Sequence, residues 1–284
     1  MENNPTRHPI FLWGVIFWLF AWAGAVGCYQ MYNLSVKGRG SLEFGVERGS
    51  VVVTSVADLF CPTTHLGALD SAIYPELRLT HLAACGIRIE GPLSFRALKP
   101  HYQEIEDTFE LCWDVISDFP RAIPLVFEVG GRIPANYHKL DNGALCLGSP
   151  LRQRLILSTN PTLSGFVEAL VIPYLYNRSY IERYQCLPLG ELDHGLSGLI
   201  RDYQQLFGVV GSDECVRMLQ LLGMKKRSAN KNPCPCGSGR RVGRCHNRAL
   251  NPLREIATRR YFRDHGAHLQ NQINRSGASA KDNT

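Results

Sequence analysis

The sequence is short of three things, and each shortage excludes a class. It contains no internal repeat, which excludes solenoid and propeller architectures. Its 10 cysteines do not form a secreted disulfide framework. Six are scattered (Cys28, Cys61, Cys85, Cys112, Cys186 and Cys215), Cys146 stands in a loop, and three cluster within 234–245. In a chain of 284 residues this distribution points to reduced thiols and one metal site. Acidic residues are nearly missing from the C-terminal end: residues 224–284 hold 3 against 14 basic ones, a net of +11. Residues 1–223 hold 22 acidic and 17 basic residues, a net of −5, so a nearly neutral domain precedes a basic module. Apolar residues are plentiful: hydrophobic residues at 45% and charged ones at 20% supply a core and exclude a disordered chain.

One long stretch lacks charge altogether. Residues 9–29, PIFLWGVIFWLFAWAGAVGCY, have the length and apolarity of a bilayer-spanning helix. Trp13, Trp18 and Trp22 lie within it, and Tyr29 and Tyr32 suit an interface. Lys37, Arg39 and Arg48 follow it, against Arg7 before it, a bias that predicts a cytoplasmic domain tethered to the inner membrane. Two other readings stay open: AVGC, ending at Cys28, has the look of a lipoprotein cleavage box, and Met31 could be the start. Segment 1–36 is thus read as an anchor, and 37–76 is unassigned.

Periodicity predicts α+β, strands first and helices afterwards. ELRLTHLAAC (76–85) has short helical character. GIRIEGPLSFRA (86–97) alternates as a strand with a glycine-proline turn or bulge. In 105–120, Phe109, Leu111, Trp113 and Val115 would share one face, with Glu110 and Asp114 on the other. FPRAIP forces an irregular crossing, and PLVFEVGGRIP (124–134) is a third strand. Together these predict an antiparallel β-meander with flanking helices. Helices are expected over 163–184, broken or kinked at Pro173, and over 195–208 and 213–227, the last leading into a linker that completes 211–231. Residues 251–284 read as a basic helix followed, from 271, by a disordered tail.

Between the meander and the helices stands YHKLDNGALCLG (137–148). Asp-Asn-Gly is turn chemistry, so Cys146 is either a small buried hydrophobe or a nucleophile with His138 upstream. The order of meander, proline crossing, histidine and GALCL (143–147) resembles the ubiquitin-conjugating-enzyme (UBC-like) fold over residues 77–210. That resemblance places Cys146 on the thioester cysteine. The family's His-Pro-Asn would fall on Asn136, Tyr137 and His138, so His138 stands where an asparagine helps hold the oxyanion, and it could donate a hydrogen bond there. A ubiquitin-like modifier and an activating enzyme are the partners this implies, and the activity is cysteine transthiolation. Glu191 and His194, in LPLGELDHG (187–195), are a second pair of candidates, and a cysteine hydrolase using Cys146 with His138 or His194 is a further reading.

NPCPCGSGRRVGRCH (232–246) is the strongest local signal. Cys234, Cys236, Cys245 and His246 offer three thiolates and one imidazole, a tetrahedral donor set for structural Zn²⁺. A module this small folds only around its metal. The stretch resembles the SEC-C motif, placed here at 232–250, and that resemblance implies protein or ribosome contact. The surrounding lysines and arginines suit an acidic partner, while no base-reading element is present for sequence-specific DNA binding. The alternative to the enzyme is therefore a non-catalytic zinc-binding adaptor.

Overall fold

Strict alternation of apolar and polar residues over 86–115 builds the middle of a sheet. The computed structural model describes residues 35–36, 74–82, 86–188 and 195–281. Strands β1 (Ser35–Val36), β2 (Arg78–Leu82), β3 (Gly86–Leu98), β4 (Ile105–Val115) and β5 (Val126–Glu128) form one antiparallel sheet in which β2 to β5 run as a meander. The α+β class, the antiparallel meander and its flanking helices are as the periodicity predicts.

One face of β3 and β4 buries Ile89, Leu93, Phe95, Phe109, Leu111, Trp113 and Val115. The other face is polar, with Arg88 paired to Asp114 at 2.8 Å and Arg96 to Glu104 at 2.7 Å. β3 carries no bulge, since its register runs unbroken from Ile87 opposite Val115 to Ala97 opposite Ile105. Pro92 is tolerated because of where its nitrogen points. Its partner Glu110 turns its carbonyl to β5, accepting the Val129 N–H at 2.9 Å, so the 92–110 pair exchanges no hydrogen bond. The Pro92 nitrogen therefore faces the opposite edge, where among the described residues β2 pairs up to Glu90 and β1 from Ala97.

Three expectations are corrected. Residues 78–82 are a strand, not a helix: four of the five are exposed, and pairing with β3 rather than an apolar face holds them. Pro173 does not break its helix. It follows a π-helical turn, Val167–Val171, in which the Ile172 N–H reaches back to the Val167 carbonyl, so the helical path runs on from α2 (Leu163–Phe166) into α3 (Ile172–Tyr184). This rod covers the sheet with Phe166, Val167, Val171, Leu175 and Tyr176. The polar tail from residue 271 is helical as far as Lys281, as the end of a helix whose Phe262, Gly266 and Leu269 are buried.

A second core gathers the remaining helices: α4 (Gly195–Phe207), α5 (Ser212–Leu222), α6 (Lys226–Ala229), α7 (Asn247–Ile256) and α8 (Arg259–Lys281). Tyr203 and Phe207 of α4 belong to it, as does Cys215, a scattered cysteine that behaves as a small hydrophobe. Helix α1 (Pro150–Leu157), capped by Ser149, comes straight after the Cys146 loop yet buries Leu151 in this second core. Arg152 Nε donates to Asp202 of α4 at 2.9 Å, Ser149 Oγ donates to the same carboxylate, and the Arg154 guanidinium lies 4.3 Å over the Tyr261 ring.

The expected membrane tether is also corrected. Among the described residues no helix is long and apolar enough to cross a membrane, and segment 9–29 lies outside them.

Candidate metal centre and the Cys146 hairpin

The four donors predicted from the C-x-C…C-H spacing converge. Sγ of Cys234, Cys236 and Cys245 and a ring nitrogen of His246 all lie within 4.8 Å of one another. Cys236 Sγ is 3.4 Å from Cys234 Sγ and 3.5 Å from Cys245 Sγ. His246 Nδ1 is 3.1 Å from Cys234 Sγ and 3.2 Å from Cys245 Sγ. Zinc–sulfur bonds of about 2.3 Å and zinc–nitrogen bonds of about 2.0 Å imply tetrahedral edges of about 3.8 and about 3.5 Å. These four edges are a few tenths of an ångström shorter and the whole set lies within 4.8 Å, so a small movement of the donors seats an ion. The residues fit a metal.

The chain folds this way for local reasons. Cys234 and Arg240 face each other across a tight reversal, the Cys234 N–H donating to the Arg240 carbonyl at 2.8 Å. Gly237 and Gly239 make the reversal with φ of 74° and 69°, the left-handed region that side chains resist. Outside it, the Val242 N–H donates to the Asn232 carbonyl at 2.9 Å and the Gly243 N–H to the Asn230 carbonyl at 3.1 Å, which fastens the knuckle to the end of α6. Val242 is wholly buried and Cys234 nearly so, and both belong to the second core.

Two contributors escaped the sequence reading. Ser238 Oγ lies 3.2 Å from Cys236 Sγ and 3.4 Å from Cys245 Sγ. Its hydrogen bond brings the Cys236 thiol down to about 6, whereas burial pushes Cys234 up to about 11. A serine set between two glycines inside the cysteine spacing was the available signal. Gly208, at the end of α4, is the other. A Cβ there would sit 3.2 Å from His246 Nε2, so the imidazole packs against bare backbone. Nothing in the sequence linked position 208 to 246, because the contact exists only once α4 joins the second core.

Cys146 and His138 are brought together by a hairpin. The Cys146 N–H donates to the His138 carbonyl at 2.8 Å, Lys139 and Leu145 bridge, and Leu140 N–H meets the Ala144 carbonyl at 2.8 Å. Asn142 Oδ1 accepts the Ala144 N–H at 3.1 Å, the Asx turn that Asp-Asn-Gly promised. The Leu145 N–H donates to the Val126 carbonyl at 2.7 Å and docks the hairpin on β5. Cys146 is half-buried, while His138 is 7% exposed and holds a left-handed φ of 37°. Tyr137 turns its ring edge to His138, with centroids 4.9 Å apart, and its carbonyl accepts from Tyr174 Oη at 3.1 Å. Burial, then the neighbouring Tyr137 and Cys146, push the Tyr174 phenol far up. Below the hairpin the Glu128 carboxylate accepts the N–H groups of Arg132 and Ile133 at 3.0 and 3.1 Å, and Lys139 Nζ donates to the Ile133 carbonyl at 2.8 Å. Glu128 was not singled out by the sequence, where it is one acid among many in a strand. Glu191 and His194 lie outside the described residues.

No protein-family model matches the chain, nor does any curated protein or solved structure.

Proposed function

We propose that the chain is a zinc-binding docking protein, in which a structural Zn²⁺ holds a basic C-terminal module that engages an acidic partner. The observation that carries this is the convergence of Cys234, Cys236, Cys245 and His246. Four protein donors fill a tetrahedral ion, so zinc would serve as a cross-link between the 234–236 turn, the 245–246 step and, through Gly208, the end of α4. The resemblance of 232–250 to the SEC-C motif points the same way. Zinc content of the purified chain tests it: one equivalent is expected, and Cys236→Ser should abolish it while leaving the sheet intact. A metal-free, fully folded second unit would refute the reading.

A second reading concerns the first unit and has its own support. A meander, then a hairpin that sets Cys146 beside His138, then covering helices, is the order that suggested a ubiquitin-conjugating-enzyme-like protein. In that reading the Cys146 thiolate attacks the carbonyl of a modifier held as a thioester and expels the donor thiolate. An amine then attacks the new thioester, losing its proton to a base as Cys146 leaves as thiolate. His138 would steady the oxyanion. Incubation with the cognate activating enzyme and modifier should give an adduct on Cys146 that thiols cleave. Alkylation of Cys146 only after unfolding would count against it and leave the docking role alone.

A further inference from the structure

The module that the metal site holds together is free of acid and free of aromatic rings. Between Met224 and Arg254 the sequence contains no Asp, Glu, Phe, Tyr or Trp. Lys225, Lys226, Lys231, Arg240, Arg241 and Arg244 are all exposed. They belong to two segments laced together, 225–232 along 240–244, by the 230–243 and 232–242 hydrogen bonds and by the bridge between Pro233 and Arg241. The nearest acid, the exposed Glu255, stands just past the end of that stretch on the last turn of α7, while Glu214 pairs with Arg217 and Asp264 with Arg260.

Composition decides what kind of anion fits. A stable protein partner needs an apolar or aromatic centre, and Met224, 41% exposed, is the one large apolar side chain exposed between Met224 and Arg254. Single-stranded nucleic acid is bound by stacking bases on aromatic rings, of which this stretch has none. Clustered guanidinium and ammonium groups without either suit a regular array of phosphates, whose affinity comes from released counterions. We propose that this face binds the phosphate backbone of a nucleic-acid duplex without reading its sequence. The inference rests on the docking role proposed above and names its partner.

The test uses the intact, zinc-loaded chain, with one equivalent of metal verified first. Fluorescence anisotropy is measured with a 20-base-pair duplex, a 20-nucleotide single strand and a poly-glutamate peptide of matched charge. Duplex binding is expected regardless of sequence. With about four phosphates contacted, the slope of log affinity on log salt should be about −3.6, a loss of about a hundredfold between 50 and 200 mM. Lys226→Glu with Lys231→Glu, exposed and away from the four donors, should keep the zinc and weaken duplex binding by at least about tenfold, with a shallower slope. If poly-glutamate or the single strand binds as tightly as the duplex, the docking role stands and this inference falls. Undiminished binding by the charge-reversed variant places the site elsewhere and also overturns it. Failure of the zinc-loaded chain to bind any of the three removes both readings.

Discussion

The sheet unit fills its core with side chains that need only one another, whereas the helical unit counts one of the four converging metal-type donors, Cys234, among its buried residues. Trp113, Phe109, Leu93 and Ile89 meet the rod of α2 and α3 as apolar surface against apolar surface. In the second core Cys234 and Val242 sit beside Met218, Leu250 and Leu253, so the wall next to the metal centre is itself part of the packing. Burial spread over a whole sheet face survives the loss of any single donor. A core completed by a knuckle of about fifteen residues does not, because that knuckle has too little surface to fold alone.

The largest effect expected is therefore loss of the ion. Cys234→Ala or a strong chelator should collapse the knuckle and expose amides from about residue 224 onward, since structural zinc is worth about 10–16 kcal/mol in zinc-finger peptides. Hydrogen exchange read residue by residue should show the sheet and the rod that covers it, 86–147 and 163–184, unchanged. Equal loss of protection in both regions would mean that the two cores are one cooperative unit, joined through α1.

The converse substitution is smaller. Trp113→Ala empties the centre of the sheet core, where Trp113 is 1% exposed, and should cost about 3–5 kcal/mol. Its indole N–H has no hydrogen-bond partner among the described residues, so Trp113→Phe should cost less than the lost volume implies. Zinc content should survive both changes, and zinc release by Trp113→Ala would break the comparison.

Acid should separate the units next. In the helical unit His265 accepts or donates at 2.6 Å to Tyr203 Oη and stacks on Tyr261. Burial, then His268 and Arg154, bring it down to about 4. Its neutral form is the one the fold accepts, so the stability it contributes is complete above the unfolded value of about 6.5 and is lost as pH falls towards 4. In the sheet unit, burial pushes the Asp107 carboxyl up, but hydrogen bonds from Arg132 and the Thr108 N–H outweigh this and bring it down to about 2. Its contribution is present above about 4 and is lost only from there towards pH 2. Circular dichroism and the assigned indole N–H resonance of Trp113, followed from pH 7 to 2, should show helix lost before the Trp113 signal moves. In His265→Gln the loss between pH 6.5 and 4 should shrink.

How much of this was legible depended on the distance over which each feature is decided. β3 and β4 follow from alternation within a dozen residues, and the convergence of Cys234, Cys236, Cys245 and His246 from spacing within thirteen, so both were legible in the sequence. The strand at 78–82 was misread because pairing with β3 makes it, and its own residues have no buried face. At Pro173 the sequence marks the right place, but a π turn just before it lets the helical path run on instead of breaking. Helix α1 drew no assignment from periodicity, and Asp202, fifty residues on, decides where it docks. His138 beside Cys146 needed the Asx turn at Asn142 as well as the motif.

The smallest expected effect is the sharpest probe of how the metal centre joins its unit. Gly208 has a φ of 65°, and a methyl group there would stand 3.2 Å from His246 Nε2. Gly208→Ala therefore carries about 1–2 kcal/mol of left-handed strain and also crowds the imidazole. If His246 is held against α4 only by packing, the variant loses stability and keeps its zinc affinity. If that contact orients the ring for the ion, zinc affinity should fall by about tenfold or more, the size of effect typical for groups that position a metal-bound histidine. Competition with a chromogenic chelator separates the two outcomes. Gly131→Ala, at a φ of 75° with nothing near its added methyl, is the control for backbone strain alone and should leave zinc affinity unchanged.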